Sequence, residues 1–251
     1  MKLGFIGAGS MATGLARGMA EPALVYDPDS DRAQRLADDI GGAVASSNAD
    51  LAERCDLVVL SHKPAQLDEV ADQMDGAADA LASIVAAVSI DRLETAYPGV
   101  PIYRLIPNIP AEVGRGVFGY SPGSHAAEGP HEELMQLLGR CGTVMELDEP
   151  LLEPAMAIMS CGPAFMAVVV EALADAGARH GLDKRQATRL VVETMAGSAA
   201  YLDANDLDPA ELRDRVATPG GMTEKGVALL EERGFPDALH AAVDLVVEAT
   251  R

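Results

Sequence analysis

The chain has 251 residues, of which 49% are hydrophobic and 4% aromatic, and its formal net charge at pH 7 is −20. This length and composition are typical of a soluble globular protein with one large or two modest domains, and the negative charge argues against nucleic acid as a partner. No signal-peptide pattern and no uncharged apolar run of membrane-spanning length is found, so we expect a cytoplasmic protein without a membrane partner.

The first 148 residues alternate short apolar runs with helical patterns. Strands are predicted over 3–6, 23–26, 57–60, 83–88, 102–106 and 144–147, and helices from Met11, from Ser30 and after Pro64. This alternation is typical of βαβ units in a mostly parallel sheet. We therefore predict a first domain over residues 1–148, an α/β Rossmann-like doubly wound parallel sheet that binds a dinucleotide.

Residues 149–251 carry helical patterns only. Helices are predicted over 151–159, 163–179, 185–202, 209–217 and 224–231. The helix over 163–179 is apolar or small on almost every face, so it needs burial on most sides. It could be the central helix of a well-packed bundle, but burial against a second copy of the chain is the simpler explanation. We predict an all-α dimerisation and substrate-binding domain and a homodimer; whether dimers assemble further stays open.

The first predicted strand leads into the glycine-rich segment "GFIGAGSMATGLARGM". A strand, a Gly-x-Gly-x-x-Ala turn and a helix in this order are typical of dinucleotide binding. Gly7 permits the tight turn, Gly9 lets the backbone approach a pyrophosphate, and Ala12 allows the helix to pack closely on the strand. The pyrophosphate would lie at the helix N-terminus, which favours an anion. The predicted cofactor-binding residues here are Gly7, Gly9, Ser10, Met11 and Ala12.

Asp27 follows the second predicted strand, 20 residues beyond Gly7. An acidic side chain at this place can accept hydrogen bonds from both ribose hydroxyls of NAD and would repel a 2′-phosphate. Alternatively, Asp27 only caps the next helix and Arg32 reaches a phosphate. The sequence thus predicts NAD(P)H as the cofactor and favours NADH.

The segment "SHKP" ends the predicted strand 57–60, where open parallel sheets present residues to a ligand. His62 is expected to be a solvated loop residue. Lys63 is one of only four lysines and is expected to contact cofactor or substrate, with Pro64 beside it. The histidines and cysteines show no metal-ligand spacing, so no metal site is predicted.

Five segments carry a family pattern along nearly the whole chain. They are "GFIGAGSMA", "SHKP", "YRLIPNIPAEVGRG", "CGPAFMAVVVEALADAGARHGL" and "LRDRVATPGGMTEKG". Together they resemble the pyrroline-5-carboxylate reductase family, and the last two are far more specific than the glycine loop. The resemblance implies a Rossmann domain followed by a helical domain that interlocks with its twin, with each active site between one subunit's cofactor domain and the helical domains.

The resemblance also implies a reaction and its residues. The reaction is hydride transfer from NAD(P)H to the C=N bond of 1-pyrroline-5-carboxylate, which gives L-proline. Thr223 and Lys63 would be catalytic, and Lys63, Pro107 and Asn108 would line the nicotinamide end. The implied substrate-binding residues are Thr218, Gly220, Gly221, Met222 and Thr223.

The chemistry of the segment "ATPGGMTEKG" agrees with a substrate-binding role. N–H groups after the double glycine, at the start of the predicted helix, can bind a carboxylate without a charged side chain. The hydroxyl of Thr223 can then form a hydrogen bond with the ring nitrogen. Hydride addition to an already protonated imine needs positioning rather than a strong general acid, which explains why the sequence shows no acid–base pair.

Departures from the family pattern keep alternatives open. The family's Ala-Ala-Gly, its Ser-Gly-Ser-Gly-Pro loop, the Met before Pro-Asn and the first Thr after Gly-Gly are replaced by Ala86-Ala87-Val88, residues 159–163, Ile106 and Met222. One alternative is therefore a paralogous reductase of another cyclic imino acid, such as a six-membered ring homologue.

Two further alternatives belong to other classes. A non-catalytic NAD(P)-sensing regulator with the same fold would not need Lys63, Asn108 and Thr223 together. A β-hydroxyacid dehydrogenase relative would need a catalytic lysine four residues after a Gly-Gly, a spacing that Gly221 and Lys225 offer. The following Asn of that family is missing, so this alternative fits poorly.

Overall fold

The computed structural model describes residues 1–249, which form two compact units, Met1–Cys161 and Gly162–Ala249. The boundary between the units falls after the helix Leu152–Met159 because this helix packs on a strand of the first unit. The domain division after residue 148 stays a prediction, and the last two residues of the predicted second domain lie outside the described residues.

The first unit contains one sheet with the strands β1 Leu3–Ile6, β2 Ala23–Tyr26, β3 Ala43–Val44, β4 Leu57–Leu60, β5 Leu81–Ser83, β6 Ile102–Ile106, β7 Gly116–Pro122 and β8 Gly142–Glu146. Within residues 1–249, these eight strands lie in the order β3-β2-β1-β4-β5-β6-β7-β8. Only β6 and β7 pair antiparallel; the other neighbours are parallel. The strand order reverses between β1 and β4, and open α/β sheets bind ligands at such a point.

Four predicted strands, β1, β2, β4 and β6, are confirmed residue for residue. The strand predicted over 83–88 is wrong: β5 ends at Ser83, and a turn follows at residues 86 and 87. The apolar run continues beyond the strand because Val85 and Val88 are buried in the loop. The strand itself cannot continue, since Ala87 has a left-handed backbone with a φ of +55°.

Helices cover both faces of this sheet, as the doubly wound prediction requires. Successive strand residues point to opposite faces, so Leu57 and Val59 join one apolar cluster while Val58 and Leu60 join the other. The helices of the first unit are α1 Ser10–Met19, α2 Ser30–Ile40, α3 Asn48–Arg54, α4 Leu67–Met74, α5 Ile90–Ala96, α6 His131–Cys141 and α7 Leu152–Met159.

The second unit is all helical, as predicted. Helix α8, Gly162–Arg179, is apolar or small on almost every face, yet it leaves Val168 63% and Leu173 52% exposed, and only Ala174 of this helix is buried. Among the described residues, the helical stretch Glu149–Arg179 is long and apolar enough to cross a membrane by length and composition. Within one copy of the chain, this apolar surface is therefore largely uncovered. The helices are α8 Gly162–Arg179, α9 Lys184–Asn205, α10 Pro209–Val216, α11 Met222–Glu232 and α12 Phe235–Ala249.

Candidate active site

The glycine loop joins β1 to α1 at the reversal point of the sheet. Gly7 has a φ of +100°, and a Cβ there would lie 2.9 Å from the backbone oxygen of Ser61, so a larger residue would be strained and would clash. A Cβ at Gly9 would meet no atom within 4 Å, so the space above this backbone is open. Ala12, in the first turn of α1, is buried. The open N–H groups of α1 thus face space that a pyrophosphate can occupy.

Asp27 lies at the end of β2 and fixes the glycine loop. Its Oδ2 accepts a hydrogen bond from the N–H of Ala8 at 2.8 Å, and its Oδ1 accepts one from the N–H of Asp29 at 2.8 Å. Each carboxylate oxygen can accept more than one hydrogen bond. Asp27 therefore orders the loop and keeps capacity for ligand hydroxyls.

A cavity of about 480 Å³ opens at the carboxyl ends of β1, β2 and β4. We call it the glycine-loop cavity. The structure thus brings together several residues that the sequence predicted separately. The walls of the glycine-loop cavity include Gly7, Gly9, Asp27, Arg32, His62 and Lys63.

His62 corrects one expectation, because it is partly buried rather than solvated. Its Nδ1 donates a hydrogen bond to the backbone oxygen of Lys63 at 2.9 Å, and its buried Nε2 has no partner among residues 1–249. Burial lowers the pKa of the His62 imidazole, although the hydrogen bond to Lys63 opposes this shift. Lys63 itself is exposed, and Pro64 begins a short 3-10 helix, Pro64–Gln66.

A second cavity, of about 320 Å³, is mostly apolar, and we call it the Met11 cavity. Met11 and Pro107 both line it, so the structure brings together the start of α1 and the end of β6. Ser160 closes one side and donates a hydrogen bond from its hydroxyl to the backbone oxygen of Pro107 at 2.9 Å. The remaining walls include the turn at Ala86 and Ala87.

Asn108 is buried beside this cavity, and its side chain forms hydrogen bonds with the backbone of other residues. Its amide nitrogen donates to the backbone oxygen of Met159 at 2.9 Å, and its Oδ1 accepts from the N–H of Val117 at 2.8 Å. The side chain thus ties β7 and α7 to the end of β6. A direct contact of Asn108 with nicotinamide stays a prediction.

A buried ion network that the sequence did not predict forms part of the wall of the Met11 cavity, which Arg104 and Glu153 both line. Arg104 on β6 is 4% exposed, and its two terminal nitrogens donate to Glu149 and Glu153 at 2.7 Å each. Glu149 Oε1 also accepts the N–H of Ile90 at 2.6 Å. A lone arginine in the apolar strand "IYRLI" is a signal, because arginine is almost never fully buried without a partner. The partners lie 45 and 49 residues away and could not be assigned from the strand.

The predicted substrate-binding residues lie in the second unit: Thr218, Gly220 and Gly221 between α10 and α11, and Met222 and Thr223 at the start of α11. Gly220 has a φ of +76°, and a Cβ on Gly221 would lie 2.8 Å from the backbone oxygen of Thr218, so both positions favour glycine. Helix α11 begins at Met222, two residues before the predicted start. Met222 is 91% exposed and Thr223 is also exposed.

Glu224 forms a hydrogen bond that the sequence did not predict. Its Oε2 accepts the N–H of Gly220 at 2.7 Å, so a carboxylate of the chain lies at the start of α11. The first N–H groups of an α-helix lack intrahelical acceptors and favour a negative charge nearby. The carboxylate of Glu224 therefore already lies at the loop that was predicted to bind the carboxylate of the substrate.

Two family models match the chain. Residues 149–251 match the model described as pyrroline-5-carboxylate reductase dimerisation. Residues 2–88 match the model described as NADP oxidoreductase, coenzyme F420-dependent. The two matches fall on the helical region and on the glycine-loop half of the sheet, respectively.

Relatives and solved structures match nearly from end to end. The chain is 33% identical to the pyrroline-5-carboxylate reductase of Synechocystis sp., over 97% of this chain and 94% of that protein. It is 32% identical to the Aquifex aeolicus enzyme of the same name, over 94% and 91%. The Plasmodium falciparum pyrroline carboxylate reductase, solved with NADP bound, is 30% identical with a TM-score of 0.89 and coverage of 100% and 97%. The chain therefore belongs to the pyrroline-5-carboxylate reductase family.

Proposed function

We propose that this chain is an NAD(P)H-dependent pyrroline-5-carboxylate reductase, which transfers a hydride to the C=N bond of 1-pyrroline-5-carboxylate and gives L-proline. The observation that carries the proposal is 33% identity, over 97% of the chain, to a protein named for this activity. The glycine loop and the Met11 cavity supply places for the two ends of a dinucleotide. When bound, the reduced nicotinamide supplies the hydride.

Residues of the first unit bind and orient the cofactor in this proposal. Backbone N–H groups at Ser10 and Met11 hold the pyrophosphate, because they start α1 beside the open space at Gly9. The apolar walls at Met11 and Pro107 take the nicotinamide ring and exclude water, which would otherwise screen the reacting charges. Lys63 lines the glycine-loop cavity and not the Met11 cavity, so the cavity walls do not support its predicted place at the nicotinamide end; Pro64 follows Lys63 in the chain.

A preference for NADH over NADPH is part of the proposal. Asp27 places a negative charge in the glycine-loop cavity, where it can accept from ribose hydroxyls and would repel a 2′-phosphate. Arg32, a cation in the same cavity that could bind a 2′-phosphate, already forms an ion pair with Asp29 at 3.1 Å. The Plasmodium falciparum relative was solved with NADP, so the preference must be measured for this chain.

Residues of the second unit bind the substrate. N–H groups at the start of α11 hold the carboxylate, and Gly220 and Gly221 allow the backbone to adopt this turn. Thr218 packs against Gly221, and Met222 flanks the loop on the solvent side. The hydroxyl of Thr223 accepts a hydrogen bond from the protonated ring nitrogen, which orients the C=N carbon toward the hydride.

A homodimer in the cytoplasm is the proposed working form. The dimerisation model covers residues 149–251, which include the apolar stretch Glu149–Arg179. Coverage of this stretch by a second copy of the chain explains its exposure in one copy without a membrane. This supports a homodimer that has no membrane partner.

The direct test measures oxidation of NADH and of NADPH by the purified protein with 1-pyrroline-5-carboxylate and with its six-membered ring analogue. We expect turnover of the five-membered imine and a higher kcat/KM with NADH. A higher kcat/KM for the six-membered imine would assign the chain to a paralogous reductase. No turnover of either imine with either cofactor would exclude the proposed activity.

The role of Thr223 is tested by Thr223→Val. Loss of the hydroxyl leaves the ring nitrogen without its acceptor, so kcat/KM for the imine is expected to fall about a hundredfold. The dissociation constant for the dinucleotide, measured by fluorescence titration, is expected to stay the same. Thr95→Val, on exposed α5 of the first unit, is the matched control. Equal losses in imine turnover and in cofactor affinity would remove Thr223 from this role.

A further inference from the structure

We infer that Arg104 is a positioning residue for hydride transfer: through Glu149 it holds the turn at Ala86 and Ala87 in place as a wall of the Met11 cavity. The inference rests on the proposed function, because it assigns the nicotinamide ring to this cavity. Arg104 itself lines the cavity, whereas Glu149, which connects it to the turn, does not.

The guanidinium of Arg104 bridges two carboxylates. Arg104 is 4% exposed, and it contacts Glu149 with one terminal nitrogen and Glu153 with the other, both at 2.7 Å. The planar fork of arginine can bridge two carboxylates in this way, whereas the single ammonium of lysine cannot reproduce both contacts in the same directions. Arg104 thus fixes the position of both glutamates relative to β6.

Glu149 connects Arg104 to the backbone that follows β5. Glu149 Oε1, the same oxygen that accepts from Arg104, also accepts the N–H of Ile90 at 2.6 Å. Ile90 is the first residue of α5 and lies three positions after Ala87. Arg104, Glu149 and Ile90 therefore form one continuous chain of contacts from the centre of the sheet to the loop.

The loop between β5 and α5 contains an unfavourable backbone conformation. Ala87 has a φ of +55°, a left-handed conformation that an L-residue with a Cβ rarely adopts. Such a conformation persists only when surrounding contacts impose it. The hydrogen bond from Ile90 to Glu149 anchors the C-terminal side of the turn, and β5 anchors the N-terminal side.

The position of this turn affects the space proposed for the nicotinamide ring. Ala86 and Ala87 line the Met11 cavity together with Met11 and Pro107. A shift of this wall changes where the ring of the cofactor lies relative to the imine carbon. Misplacement by about 1 Å can cost a reaction about a hundredfold in rate, even when the mutated residue is far from the chemistry.

The experiment compares Arg104→Lys with wild type under conditions in which circular dichroism shows both to be folded. We expect kcat at saturating imine and cofactor to fall about tenfold, because the turn is no longer held in one position. The dissociation constant for ADP-ribose, which binds only the glycine-loop side, should change less than about twofold. Arg140→Lys is the matched control, since Arg140 forms an exposed ion pair with Glu21 at 2.6 Å.

Glu149→Gln and Glu149→Leu provide a second, independent test. Glutamine keeps an acceptor for the N–H of Ile90, whereas leucine removes it, so we expect glutamine to retain several times more of the wild-type kcat than leucine. This pair decides the question if Arg104→Lys does not fold.

Several outcomes would overturn the inference. One is a folded Arg104→Lys enzyme with wild-type kcat, and another is an equal loss of kcat and of ADP-ribose affinity, which would indicate a general structural role. Equal kcat values for Glu149→Gln and Glu149→Leu would also overturn the inference. Absence of turnover in the wild type would instead refute the proposed function, so the two failures can be distinguished.

Discussion

The left-handed backbone of Ala87 is a local conflict between residue type and conformation. The penalty for a Cβ in this conformation is about 1–2 kcal/mol, and glycine avoids it at the cost of a more flexible unfolded chain. We expect Ala87→Gly to raise the free energy of unfolding by up to about 1 kcal/mol. Urea unfolding at a fixed protein concentration measures the change, since a dimer's stability depends on concentration.

Ala86 supplies the control for this prediction. It belongs to the same exposed turn but is not among the residues with positive φ. Ala86→Gly therefore gains nothing in the folded state and should lower the free energy of unfolding by about 0.5–1 kcal/mol. A loss of the same size for Ala87→Gly would mean that the strain at Ala87 is already relieved by its neighbours.

Single residues also differ in how far the sequence predicts them. The conformations at Gly7, Gly9 and Ala12 follow from a motif in which neighbours along the chain form the whole structure. The role of Asp27 in holding the loop required a hydrogen bond to Ala8, which no spacing rule contains. The partners of Arg104 come from a segment more than forty residues later, so only the tertiary structure reveals them.

At the scale of elements, strands were predicted correctly where the segment has one clear hydrophobic pattern. β1, β2, β4 and β6 are compact apolar runs between polar loops, and their bounds were predicted correctly. β7, with the sequence "GVFGYSP", was missed because glycine and serine interrupt its apolar pattern. β3 has only two residues, both exposed, so it carries no hydrophobic signal at all.

Helix α11 leads to a prediction about substrate affinity. Glu224 lies in its first turn and accepts from Gly220, close to the N–H groups that we propose bind the substrate carboxylate. Two carboxylates at one helix N-terminus repel each other and compete for the same donors. Glu224→Gln is therefore expected to lower KM for the imine about threefold at low ionic strength, and less at high salt.

Glu232→Gln is the control for this charge effect, because Glu232 lies at the opposite end of the same helix. Its removal should leave KM for the imine unchanged, since the effect of a charge on the helix dipole is confined to the nearest turn. Because glutamine keeps an acceptor for the N–H of Gly220 and removes only the charge, an unchanged or higher KM for Glu224→Gln would contradict the proposed charge effect.

At the scale of the whole molecule, two properties act against each other in assembly. Each chain carries a net charge of −20, so a dimer carries 2 × (−20) = −40 and its subunits repel. The apolar surface of α8 favours association, because exposed patches of this kind mark protein interfaces. Association must therefore concentrate the apolar contact in the helical region and leave the acidic surface in solvent.

Val168→Asp tests this balance. Val168 is 63% exposed on α8, and an aspartate there would place an unpartnered charge inside an apolar interface, which costs several kcal/mol. We expect the variant to be monomeric by light scattering at micromolar concentrations and to lose imine reduction, while the first unit keeps its affinity for ADP-ribose. Val113→Asp, a matched change at a residue 74% exposed in the first unit, should remain dimeric. The same mass measurement on wild type shows whether dimers assemble further, and a dimeric Val168→Asp would place the interface elsewhere.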